Sequence, residues 1–146
     1  MMYICRRVEF CASHRLHSPV LSGTENEVLY GRCNNPNGHG HNYVLEVIVA
    51  GEVAPDTGMV MDLKKLKDLL EEQIVDRVDH KNLNVDVDFL KGVIPTTENL
   101  VASFWKLVDG KLSPGCRLHE MRLWESDNNM AFYRGEGGKV KVHSEK

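Results

Sequence analysis

The chain has 146 residues, 42% of them hydrophobic and 27% charged, with 18 Lys+Arg against 21 Asp+Glu and a formal net charge of −3. That size and balance describe one ordinary globular domain over residues 1–146 and exclude a disordered tail. The mild acidity argues against a nucleic-acid coat, and no apolar run approaches the roughly 18 residues of a membrane span, so neither partner is expected.

In chain order, residues 3–14 alternate, with Ile4, Val8, Phe10 and Ala12 on one face, and predict a strand. Arg6 and Arg7 lie inside this pattern rather than ahead of an apolar signal core, and the cysteines at 5, 11, 33 and 116 form no CxxC pair. A cytoplasmic protein with reduced thiols is the expectation. From Arg15 to Gly38 the sequence is rich in Ser, Asn, Gly and Pro and reads as a loop. Hairpin connections usually take roughly 2–5 residues, so a loop this long is expected to carry function. Residues 41–53 alternate again through Tyr43, Leu45, Val47 and Val49. Residues 62–78 change to helical spacing, with Leu63, Leu66, Leu70, Ile74 and Val78 in one stripe and Asp62 as cap. A second helix is predicted over 97–109, capped by Thr96 or Thr97, with Leu100, Phe104 and Leu107/Val108 facing inward. Residues 117–126 and 130–135 read as two strands joined by Asp127-Asn128-Asn129. The order is β-β-α-α-β-β, an α+β class. Its open sheet edges invite further pairing, and a small subunit removes them by closing a barrel with its neighbours.

The chemistry-bearing residues concentrate around that loop. His39-Gly40-His41 places two imidazoles on one face of a strand, and an antiparallel first strand brings His14 alongside. Three imidazoles with an open fourth position suit a catalytic Zn²⁺, although imidazole also suits other transition metals, and an isolated HxH is often merely solvated. Cys33 lies six residues before His39, beside Arg32. A nearby cation would favour its thiolate as a base or nucleophile; the alternatives are a fourth metal ligand or an inert loop thiol. Asp79-His80 follows the first long helix and reads either as a proton relay or as a surface helix end. Thr96-Thr97-Glu98 opens the second long helix, where simple capping is the plain explanation. Glu125 stands between apolar strand neighbours and needs a partner, either a ligand edge with paired N–H donors or a protein cation. His17, His119 and His143 lack such placement and read as surface or packing residues.

The stretch Gly31-Arg32-Cys33-Asn34-Asn35-Pro36-Asn37-Gly38-His39-Gly40-His41-Asn42-Tyr43 resembles the 6-pyruvoyltetrahydropterin synthase family. Further matching motifs follow in the family's order: Ala12-Ser13-His14, Gly58 to Leu63, Asp79 to Leu83, Thr96 to Asn99 and Glu125 to Asn129. The resemblance covers Val8 to Gly135. It implies the tunnelling fold, in which three subunits close a twelve-stranded antiparallel barrel and two trimers stack into a homohexamer, with sites between subunits. It implies one Zn²⁺ per subunit on His14, His39 and His41, Cys33 as catalytic base, and Asp79 and His80 as relay. It further implies a pterin pocket formed by Glu125, Thr96, Thr97 and Glu98. The implied reaction is a lyase step converting 7,8-dihydroneopterin triphosphate to 6-pyruvoyltetrahydropterin and triphosphate, in tetrahydrobiopterin biosynthesis. Arg15, Arg32 and Lys81 flank the motifs as candidate contacts for the polyanionic tail. The rivals are the sister 6-carboxytetrahydropterin synthase, whose Cys-to-His spacing is shorter than the five residues found here, and a zinc-stabilised pterin-binding module without catalysis.

Overall fold

The computed structural model describes residues 1–135 and 142–143. The part of the single-domain expectation that covers 136–141 and 144–146 lies outside the described residues. Strand β1 (Met2–His14) and strand β2 (His39–Gly51) form one long antiparallel ladder in which His14 pairs with His39 and Phe10 with Tyr43. Strand β3 is a two-residue piece, Lys81–Asn82, lying parallel to β1 on its outer edge. Strands β4 (Arg117–Trp124) and β5 (Met130–Tyr133) continue the sheet on the other side, giving the order β3-β1-β2-β4-β5. Alternation turns Val8, Phe10, Ala12, Tyr43, Leu45 and Val47 to one buried face. On β4 both Leu118 and Met121 are buried although three residues apart. A bulge around His119, opposite Ile48/Val49, absorbs the extra residue and restores the facing.

Two helical segments cover this face. Helix α2 (Leu63–Leu70) starts at Asp62, whose side chain accepts from Lys64 N at 2.9 Å. It runs on through a π turn, Glu71–Val75, into the last turn α3 (Asp76–Val78). The π turn has a reason in the spacing. Leu66, Leu70, Ile74 and Val78 are all fully buried at four-residue steps, and each such step walks the stripe about 40° around a regular α-helix. One wider turn brings it back over the sheet. Leu63, expected in the same stripe, is instead exposed at the helix start. Helix α4 (Thr97–Val108) packs Leu100, Phe104 and Val108 into the same core, with Phe10 edge-on to Phe104 at 5.7 Å.

The expected β-β-α-α-β-β order is corrected in one respect besides the short β3. The stretch read as a loop contains helix α1 (Gly23–Tyr30), followed by a 3₁₀ turn, Gly31–Asn34. No amphipathic stripe announces α1, since Val28 and Leu29 are exposed. It is held by polar bonds. Ser22 and Glu25 form a reciprocal capping box, and the fully buried Asn26 side chain bonds Ser18, Leu21 and Ser22. No described helix is long and apolar enough to cross a membrane.

Candidate functional site

The β1–β2 register places His14 directly opposite His39, with His41 two residues further along the same face, across from Ala12. Ala12 has only a methyl group, which leaves room for the His41 ring. Gly38 permits the strand entry: its φ is +75°, and a Cβ there would stand 3.0 Å from the His14 carbonyl oxygen. The three rings converge edge to face, and one ligand atom from each lies within 4.8 Å of the others.

The protonation pattern follows from the partners. His14 Nδ1 sits 2.8 Å from the Pro95 carbonyl oxygen, which can only accept, so Nδ1 carries the proton and Nε2 keeps its lone pair. That lone pair faces His39 Nε2 at 3.2 Å. Two ligand nitrogens on one tetrahedral Zn²⁺, each at about 2.0–2.1 Å, stand about 3.4 Å apart. His41 Nε2 is buried without a hydrogen-bond partner, although Glu125 Oε1 lies 3.4 Å away. Burial holds both His14 and His41 below the ordinary imidazole range, opposed by the Pro95 carbonyl at His14 and by the Glu125 charge at His41. Neutral, convergent imidazoles with an orphaned nitrogen fit a bound metal ion, so this cluster can hold one.

Around the histidines the other residues are set by different elements. Cys33 rides on the 3₁₀ turn and shares an open cleft of about 510 Å³ with Gly31, Arg32, Asn35, His39 and His41. The Tyr43 hydroxyl is fully buried below, 3.3 Å from His14 Nδ1. Its pKa is raised, first by burial and then by the Glu125 and Cys33 charges, which puts the thiol and the carboxylate in one electrostatic neighbourhood. Glu125 Oε2 accepts from the Thr97 hydroxyl at 2.8 Å, which steers Oε1 toward His41. Glu125 therefore meets a hydroxyl and an imidazole here, with no Arg or Lys in bonding contact among the described residues.

Thr96 caps α4 by accepting from Asn99 N at 3.2 Å, and Glu98 points outward in the first turn, so neither joins the cluster within this chain. Asp79 and His80 are also apart from it. They lie on the outer edge of β1, where Asp79 Oδ1 accepts from Cys11 N at 2.8 Å and His80 N donates to Cys11 O at 2.6 Å. The Cys11 amide, joined by the bond to His80, holds the Asp79 carboxyl below its usual range. Asp79 Oδ2 is 3.0 Å from His80 Nδ1. His80 has φ +60°, a left-handed conformation that side chains avoid, and its ring is 80% exposed. Reading the sequence for reactive side chains misses Pro95, Tyr43 and Asn34. Pro95 acts through a backbone carbonyl, which has no residue-type signature.

The architecture is that of a small α+β subunit that gathers three metal-competent histidines, a thiol and a carboxylate at one end of a sheet. Comparison with known proteins gives that class its family. The family pattern of 6-pyruvoyl tetrahydropterin synthase matches residues 3–136. The chain is 49% identical over 133 residues to the 6-pyruvoyl tetrahydrobiopterin synthase of Homo sapiens, covering 91% of each. It is 50% identical over 134 residues to that of Poecilia reticulata, covering 92% of this chain and 90% of the relative. Among solved structures, the Caenorhabditis elegans 6-pyruvoyl tetrahydropterin synthase superposes with TM-score 0.87 at 41% identity, covering 92% and 96% of the two chains. This chain belongs to the 6-pyruvoyl tetrahydropterin synthase family.

Proposed function

We propose that the protein is a zinc-dependent lyase that converts 7,8-dihydroneopterin triphosphate to 6-pyruvoyltetrahydropterin and triphosphate. The observation that carries the reading is the shared cleft, in which Cys33 stands beside His39 and His41 while Glu125 is held at His41 by Thr97. His14, His39 and His41 would hold the zinc, which when bound polarises the substrate's side-chain oxygens and acidifies the adjacent C–H bonds. Cys33, as thiolate, removes a proton from that side chain. Glu125 accepts from the paired N–H donors of the pterin's guanidine-like edge, a charge-assisted match, and orients the ring. Thr96 and Glu98 complete the pocket wall at the α4 entry. Electrons move from the side chain into the pterin ring as it is reduced, and triphosphate leaves with the C–O bond pair, so no external electron carrier is required.

The Asp79–His80 pair is the proton relay in this reading, acting on the site of a neighbouring subunit. Its exposure on a sheet edge supports that, because neither residue lines the cleft that holds Cys33 in its own chain. A trimer closing a twelve-stranded barrel, with two trimers stacked, would join such edges and complete each site. Four free cysteines fit a cytoplasmic location and a single domain held by its core.

The test is to supply zinc-loaded protein with 7,8-dihydroneopterin triphosphate, trap the product with a pterin reductase, and weigh it. A pyruvoyl product with released triphosphate, lost on chelation, is expected. A carboxy product with acetaldehyde would assign the sister reaction instead, and binding without turnover would leave a pterin-binding module.

A further inference from the structure

We infer that Asn34 is a positioning residue that sets where Cys33 stands relative to the histidine cluster; the inference rests on the role proposed for that thiol. The chain leaves ligand His14 through Arg15, Leu16 and His17, and all three are bonded to the thiol's turn. Leu16 N donates to Cys33 O at 2.8 Å, and Arg15 Nε donates to Asn34 O at 2.9 Å. The Asn34 side-chain nitrogen donates both its hydrogens, to Leu16 O at 2.7 Å and to His17 Nδ1 at 3.0 Å. Asn34 is 5% exposed, so its own amide has little water to replace a lost partner, and losing one is costly.

The segment is gripped from its other side as well. Asn84, four residues past His80, accepts from Arg15 N at 2.7 Å and donates to Arg15 O at 2.9 Å. Arg15–His17 is therefore a short stiff bridge, clamped between two asparagine side chains and fused to the strand that carries His14. The alternative path from Cys33 to the cluster runs through Asn34-Asn35-Pro36-Asn37-Gly38, a turn with few side-chain bonds of its own. The thiol's placement is inherited from the bridge, and among the described residues Asn34 is the side chain on the thiol's own turn that closes it. A misplacement of about 1 Å at a reacting group costs on the order of 100-fold in rate, so the clamp acts on turnover through Cys33 rather than on binding.

The experiment compares Asn34→Ala and Asn34→Asp with wild type in the metal-loaded protein. Expected is a kcat about 10–100-fold lower with KM within about threefold and metal content unchanged. The alkylation rate of the half-buried Cys33 by iodoacetamide, read by peptide mass because the exposed Cys5 and Cys11 react as well, and its pH profile shift in the same variants. If Asn34 variants do not fold, His17→Phe and His17→Gln carry the test: Phe removes one acceptor of the clamp and Gln restores one. Slower turnover and altered alkylation in His17→Phe, recovered in His17→Gln, support the clamp. Wild-type kcat and alkylation in Asn34→Ala, or equal defects in the two His17 variants, overturn it. Alkylation needs no substrate, so failure of the proposed reaction in wild type is told apart from failure of the clamp.

Discussion

Two imidazole-bearing regions of this molecule are built in opposite ways. The His14–His39–His41 cluster lies on a long antiparallel ladder, facing the core, with His14 fully buried and anchored on the Pro95 carbonyl. The Asp79–His80 pair hangs on the sheet's outer edge through the backbone of Cys11, with a strained backbone at His80 and its ring in solvent. The first region is complete within one chain. The second is a pre-oriented pair at the surface, which in the reading proposed above serves a neighbouring subunit. A buried cluster can be made precise by packing alone, whereas an exposed pair must be held by its own backbone.

That contrast can be broken most severely at the cluster. His14→Ala is expected to abolish metal retention and turnover together, measured by metal analysis after gel filtration, and a variant that kept a full complement of metal would refute the ligand assignment. Next come Cys33→Ala and His80→Ala, each expected to lower kcat by about 10²–10⁴-fold with metal retained. Unfolding the two variants together and refolding the mixture should restore a measurable fraction of activity, since some assembled sites then receive an intact thiol and an intact relay. Absence of recovery would place the relay in the same chain as the thiol.

A smaller effect sharpens the same division. Thr97→Val removes one hydrogen bond to Glu125. It should raise KM for the pterin by about 3–10-fold, corresponding to about 0.5–1.5 kcal/mol, with kcat little changed. The smallest effect separates the regions on the pH axis. His14 and His41 have folded-state pKa values below the ordinary one, so the unfolded chain takes up protons first as pH falls. Metal-free protein should lose stability as pH drops below about 6.5 and go on losing it until the folded-state imidazoles also protonate. Asp79 is likewise depressed, but as a carboxylate its contribution is lost only below about pH 4. Urea midpoints measured across pH 7 to 3 should show two descents, the first absent in a His14→Gln, His41→Gln variant.

The long alternating strands and the two amphipathic helices were legible because each buries a face at its own period. The pairing of His14 with His39 was legible for the same reason, as a consequence of antiparallel register. Helix α1 carries no such period, although Ser22-Gly23-Thr24-Glu25 is a capping-box pattern. A helix that exposes Val28 and Leu29 and rests on an asparagine offers no periodic stripe to find. The bulge at His119 was visible only as Leu118 and Met121 falling out of alternation. The grip of Pro95 on His14 depends on a backbone oxygen brought in by tertiary packing from 81 residues away, and no local pattern encodes it.

The π turn at Glu71–Val75 has a consequence for how this chain tolerates change. It works as a phase adjuster: it lets the Leu66-to-Val78 stripe stay over the sheet, and it fixes the height and azimuth at which the chain leaves the helix for Asp79. A deletion inside the π turn would be absorbed as it relaxes to an ordinary turn, whereas deleting one residue from the α-helical turns before it would shorten the segment by about 1.5 Å and rotate everything beyond by about 100°. Asp79 would then miss the Cys11 amide, and the edge pair would lose its anchor while the histidine cluster stayed intact. A length change in a helix remote from the histidine cluster would thus act as a selective lesion of the Asp79–His80 pair.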